Sequence, residues 1–186
     1  MAKRVLVVLS EGFEDIEAVS VIDVLNRCGV EVTVASLRPG PVEGAYGTTL
    51  APDLSIDEVE GEFDGIAFPG GKKNAQNLAA HPKVIELIRN HNRENRLVAA
   101  ICAAPGHVLA EAAGILKGRD ATGDPVFNDK LAAGGAIITD AAVTSHGNII
   151  TGMGPGAALE FALRLAEYLV GPELPATFAE KWRMKQ

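Results

Sequence analysis

The chain has 186 residues, and 17 Lys+Arg against 24 Asp+Glu leave it a formal net charge of −7. With 47% apolar and 22% charged residues it can bury a core unaided, which excludes a disordered chain, and its acidity leaves no basic surface for nucleic acid or an anionic membrane. Two cysteines, Cys28 and Cys102, neither in a CxxC, exclude a disulfide framework or a four-cysteine zinc site and point to the reducing cytoplasm.

Val5–Leu9 is a continuous apolar run, read as a strand buried on both faces and too short for a signal-peptide core or a membrane span. Ile16, Val19, Ser20, Val24 and Leu25 then recur at helical spacing, with Asp15 at the start and Gly29 past the end, so a helix is expected over 15–27. Glu31–Ser36 is the second strand. Strand, helix, strand is a βαβ unit, whose right-handed crossover covers a parallel sheet. Gly65–Phe68 runs into Pro69-Gly70-Gly71, and Leu97–Ile101 runs into Cys102–Gly106, which predicts two further strand-to-helix turns. Short strands are expected at Ala136–Asp140, Val143–Ser145 and Ile149–Thr151, with a turn at His146–Asn148 and a helix from about Ala157 to Val170. The Pro-rich stretch Gly171–Pro175 separates this helix from a last one. One α/β domain over residues 1–186 is expected, a sheet sandwiched between helix layers.

In such sheets ligands bind beyond the carboxyl ends of the strands, which here are Ser10–Glu17, Pro69–Lys73 and Cys102–Pro105. Cys102 sits between a strand and a helix start, with Ala100 and Ala104 two residues to either side, the small neighbours that a nucleophile elbow needs. A helix start would aim free N–H groups and positive dipole at the sulfur and favour a thiolate. The spacing is equally compatible with a small apolar filler. Cys28, at a helix end, reads as structural. The four histidines, His81, His91, His107 and His146, lie outside the strand ends, and His107 is turned away from the thiol, so no Cys–His dyad is visible. Glu17 could return a carboxyl to the crevice or could be a solvated first-turn glutamate; spacing does not decide. Gly152–Ala157 fits the letters of a dinucleotide fingerprint but is followed by Pro172, Pro175 and a final helix instead of a second strand ending in an acid. Glycines that admit close backbone packing are the better reading there.

Lys3–Leu9, Gly12–Glu17, Pro69–Gly71, Ala75–Leu78, Ala99–Pro105 and Gly154–Gly156 together resemble the ThiJ/PfpI superfamily, in its Parkinsonism-associated deglycase branch, over essentially the whole chain. The resemblance implies a flavodoxin-like three-layer sandwich with a mainly parallel sheet, as in class I glutamine amidotransferases, and a homodimer. It implies a reactive Cys102 with Glu17 hydrogen-bonded to it, and no cofactor or metal. A protonated Glu17 could donate to the sulfur, so a protonated Glu17 and a depressed Cys102 pKa are expected. The implied activity is a glutathione-independent glyoxalase or deglycase acting on a small aldehyde or its glycated adducts, with backbone N–H groups of Gly71 and Ala103 holding the oxyanion. Some relatives carry a histidine before a proline where this chain has Asp124-Pro125, making Asp124 the candidate acid–base group. Two arginines that hold an anion in relatives are Tyr46 and Met153 here, leaving Arg27 as the matching cation. The alternative is a redox sensor or chaperone of the oxidative stress response, using oxidation of Cys102 without turnover. An amidase or protease ranks last, because position 103 is alanine and not histidine.

Overall fold

A computed structural model describes residues 2–184. In chain order the elements are β1 (Arg4–Leu9), α1 (Asp15–Arg27), β2 (Glu31–Ser36), β3 (Val42–Glu43), β4 (Thr49–Leu50), β5 (Leu54–Ser55), β6 (Gly65–Phe68), α2 (Lys72–Ala79) and α3 (Pro82–Arg93). There follow β7 (Leu97–Ile101), a π-helical segment Pro105–Ala112, β8 (Asp120–Ala121), α4 (Asn128–Ala133), β9 (Ile137–Ile138), β10 (Val143–His146), β11 (Ile149–Gly152), α5 (Ala158–Val170) and α6 (Glu173–Lys181).

Seven strands form one sheet in the order β10-β11-β7-β6-β1-β2-β5, parallel except for the β10–β11 hairpin. The period-2 alternation of a strand divides its apolar residues between two cores. Leu6 and Val8 of β1 face Val84 and Ile88 of α3 and Val108 and Leu109 of the π-helical segment. Val5 and Val7 face Val21, Val24 and Leu25 of α1 and Phe161 and Leu165 of α5. Each of these fully buried side chains contributes about 1.5–3 kcal/mol. The result is a flavodoxin-like three-layer α/β sandwich.

β1, α1, β2, β6 and β7 lie where hydrophobic patterning places them, because each carries a long apolar run or a periodic face. Other elements differ. β3, β4 and β5 are two residues each and leave no pattern to detect. The strand expected over Ala136–Asp140 shortens to Ile137–Ile138, which leaves the main sheet and pairs with β8 in a separate ribbon. α6 starts at Glu173 and takes Pro175 into its first turn, where a missing N–H costs nothing, so the linker is only Gly171-Pro172. Among the described residues no helix is long and apolar enough to cross a membrane.

From β1 the chain moves outward to β2 on one side, whereas β6 and β7 lie on the other. The strand order therefore reverses next to β1, and the ends of β1, β6 and β7 open onto one crevice.

Candidate functional site

The walls of this crevice are built by backbone. Asn74, fully buried on α2, accepts the Ser10 N–H through Oδ1 (2.6 Å) and donates through Nδ2 to the carbonyls of Pro69 (2.8 Å) and Gly70 (3.0 Å). One amide thus ties the end of β1 to the turn after β6. The Glu14 N–H donates to the Gly70 carbonyl (3.1 Å). Gly71 has φ +86°, and a Cβ there would lie 2.1 Å from the Gly12 carbonyl oxygen, so only glycine fits.

Cys102 has φ +63°, a conformation that costs a non-glycine residue of order 1 kcal/mol or more and that fixed neighbours must impose. Its N–H donates to the Gly152 carbonyl and its carbonyl accepts the Asp124 N–H, both at 2.9 Å. The elbow read from the small flanking residues is therefore present. The N–H groups of Gly71 and Ala103 are directed at its sulfur.

Glu17 is fully buried, so it is not a solvated first-turn residue. Its own N–H donates to Glu14, which caps α1, at 2.8 Å. Its Oε2 accepts the Gly70 N–H at 2.7 Å, whereas Oε1 is buried and has no partner. Gly70 is wedged between acid and thiol: a Cβ there would fall 2.5 Å from Cys102 Cβ and 2.6 Å from Glu17 Oε2. Burial pushes the Glu17 carboxyl up to about 8, with the Glu14 charge adding to the push and the Gly70 N–H opposing it. Glu17 is consequently protonated at neutral pH.

The depressed Cys102 pKa expected from the elbow is not what the geometry produces. Burial, then the Glu17 charge, then Asp124 push the thiol up to about 12, against the pull of the Gly71 and Ala103 amides. Protonation of Glu17 removes its charge, but burial and Asp124 still favour a neutral thiol. The resting pair is an acid beside a thiol.

Asp124 lies on another side of the sulfur. Its Oδ2 lies 4.0 Å from Cys102 Sγ, while Oδ1 accepts the Val126 N–H at 3.0 Å and caps the turn Pro125–Phe127. The fold thus brings together Glu17, Gly71, Cys102, Ala103 and Asp124. No histidine hydrogen-bonds Cys102 among the described residues. His107 is buried in the π-helical segment, edge-on to Phe127 with centroids 4.9 Å apart. Cys28 is buried away from polar partners, and burial raises its thiol pKa.

Two expectations drawn from the resemblance change. Arg27 lies at the other end of α1 from Glu17, about 15 Å along the helix by its rise per residue. There it pairs with Asp23 (2.7 Å) and covers the Trp182 ring, so within this chain it brings no charge to the sulfur. Tyr46 is 81% exposed on a loop whose N–H groups, those of Tyr46 and Thr48, are clamped by Asp15. In the glycine-rich stretch a Cβ on Gly152 would fall 2.9 Å from Ile101 Cδ1, so this glycine serves close packing, whereas a Cβ on Gly154 or Gly156 would meet nothing within 4 Å and the expectation fails there.

Gly70, Asn74 and Glu14 complete the site; Gly70 and Glu14 lie within the strand-end stretches that patterning places at the crevice, and Asn74 lies just outside them. Asn74 left one signal, a position four residues before Leu78 that places an amide on the buried face of α2.

The DJ-1/PfpI family matches residues 3–168. The chain is 40% identical over 178 residues to the Parkinson disease protein 7 homolog of Danio rerio, covering 94% of this chain and 93% of the relative. It is 38% identical over 173 residues to the glutathione-independent glyoxalase DJR-1.2 of Caenorhabditis elegans, covering 92% and 91%. Among solved structures it is similar to oxidized Toxoplasma gondii DJ-1, with a TM-score of 0.93, 35% identity and 100% of both chains covered. On fold, on motif positions and on identity along nearly its whole length, this chain belongs to the DJ-1/PfpI family.

Proposed function

We propose that the chain is a cysteine-dependent enzyme that converts methylglyoxal or glyoxal, free or as early adducts of amines and thiols, to lactate or glycolate without glutathione. The observation that carries this reading is Cys102, held at φ +63° between the carboxyl groups of Glu17 and Asp124 with two amides on its sulfur. The name of the Caenorhabditis elegans relative supports the same chemistry.

The protonation states allow a balanced cycle. Asp124 takes the thiol proton as the sulfur adds to the aldehyde carbon, and Glu17 gives its proton to the new alkoxide, yielding a hemithioacetal. The amides of Gly71 and Ala103 stabilise negative charge on sulfur or oxygen during this step. Glu17, now a carboxylate, removes the proton from the same carbon while Asp124 protonates the neighbouring carbonyl oxygen, giving an enediol. Glu17 then delivers its proton to the second carbon as Asp124 takes the hydroxyl proton from the first, leaving a thioester. Water adds with Glu17 accepting a proton, the carboxylic acid departs, and Asp124 returns a proton to the sulfur. A carboxyl near 8 is well matched to giving and taking protons at neutral pH.

The test is lactate formation from methylglyoxal with no thiol added. Cys102→Ser is expected to abolish it, and Glu17→Gln or Asp124→Ala to reduce kcat by about 10²–10⁴. Turnover by Cys102→Ser at the wild-type rate would refute the reading.

A second reading, sensing of oxidants through Cys102, draws on the same two amides, which would also hold a sulfinate, and on the partial exposure of this thiol beside a buried Cys28. Mass spectrometry after mild peroxide addresses it. The working form in either reading is a cytoplasmic homodimer, supported by apolar residues left exposed on α1.

A further inference from the structure

A second crevice, of about 860 Å³, opens beyond the ends of β1 and β2, and its lining does not include Cys102. One wall is apolar, formed by Leu37, Pro39, Pro41 and Val42. Its polar groups come from elements that are already fixed. The loop bearing Arg38 is restricted by Pro39 and Pro41, which follow it, and the Ser36 hydroxyl donates to the Arg38 carbonyl. Glu43 on β3 is anchored where its carbonyl accepts the Gly12 N–H at 2.8 Å.

The charges lining the crevice sort into two kinds. Lys73 and Glu11 neutralise each other in an ion pair of 2.5 Å. Arg38 and Glu43 take part in no ion pair among the described residues, although Arg38 lies near enough to act on the Glu11 charge, so one cation and one anion are left without a direct partner. A separate group is only loosely partnered. Ser10 is only 5% exposed; its Oγ accepts from Asn77 Nδ2 at 3.2 Å and donates to the Glu11 carbonyl over a long 3.5 Å. A lining hydroxyl whose donated bond is this long can turn its proton to a ligand oxygen in the crevice.

We propose that this crevice binds a zwitterionic α-amino acid: the carboxylate on Arg38 and the Ser10 hydroxyl, the ammonium on Glu43, and an apolar side chain against Leu37, Pro39 and Val42. One unpaired charge of each sign selects a zwitterion over a simple anion, which Glu43 would repel, and over a simple amine, which Arg38 would repel. Preset loops reduce the ordering cost of binding. The site does not depend on Cys102 chemistry.

Titration of the ¹⁵N-labelled chain with L-leucine, N-acetyl-L-leucine and L-leucinamide tests the proposal. Leucine is expected to shift the amide signals of Ser10, Arg38, Glu43 and Asn77 and to bind roughly tenfold more tightly than either blocked form. Arg38→Ala and Glu43→Gln, both at exposed positions, should each weaken leucine by about tenfold, and Cys102→Ser should leave it unchanged. Equal binding of the blocked forms, shifts confined to the surroundings of Cys102, or no saturable shift with leucine would each overturn it.

Discussion

At the scale of single residues, two cysteines of one chain meet opposite surroundings. Cys28 caps the end of α1 with its thiol buried among apolar side chains, where, among the described residues, no carboxyl group is placed to take its proton and no amide to hold an oxidised sulfur. Cys102 is also buried in large part, but two N–H groups and two carboxyl groups surround its sulfur. Mild peroxide should therefore add two oxygens to Cys102 as a sulfinate, with each oxygen drawn from one peroxide that leaves as water. Intact-mass and peptide spectra should place the added 32 Da on Cys102 before Cys28 or the methionines change (on the order of 16 Da per oxygen). Equal oxidation at all these positions would contradict a sulfur activated by its surroundings.

At the scale of elements, α1 serves two purposes. Its first turn delivers Glu17 to the crevice and its inner face packs Val21, Val24 and Leu25 on the sheet. Its outer face leaves Ile16 57% and Val19 44% exposed, three residues apart and so on one side of the helix. Covering that side with a second copy explains apolar residues otherwise left in water. Sedimentation should give twice the mass of the 19.4 kDa chain. Ile16→Glu combined with Val19→Lys should shift it to the monomer, and a monomeric wild type at micromolar concentration would refute this use of α1. The same helix illustrates what sequence discloses. Its bounds were legible from helical spacing and Gly29, but its buried face was not: Ile16 and Val19 of the periodic set face outward, while Ala18 and Val21 are buried with Val24 and Leu25. The candidate residues Cys102 and Glu17 were legible from strand-end position and family resemblance. The acid–thiol balance was not, because it depends on burial and on Gly70 lying between the two groups, which no local spacing encodes. The wedge at Gly70 and the Asn74 bridge join segments more than 50 residues apart from Ser10 or Glu17. β3 to β5 escaped for a different reason, being too short to carry a period.

At the scale of the whole molecule, burying Glu17 as an acid couples the site to global stability. The unfolded chain releases this proton near 4.5, whereas the folded chain keeps it until about 8. Between those values the folded state binds the extra proton, so its stability is full below the lower one and declines as pH rises through the window. The loss is on the order of a few kcal/mol by pH 8. Glu17→Gln removes the titrating group while keeping an acceptor for the Gly70 N–H. Urea melts should show the wild type losing stability from pH 5 to pH 8 and the variant holding level over the same range; parallel behaviour of the two would contradict a strained acid. A site that costs stability where it works is the expected balance between function and folding.

All of this chemistry starts from a neutral carboxyl group beside Cys102. The direct measurement is the ¹³C chemical shift of the Glu17 side-chain carboxyl carbon, followed from pH 4 to pH 10 in uniformly labelled protein and assigned against Glu17→Gln (about the span over which carboxyl and thiol groups titrate). The expected result is a single large step centred near 8. A step near the ordinary glutamate value would mean that the acid is already charged at neutral pH, and the proposed proton cycle would then be wrong.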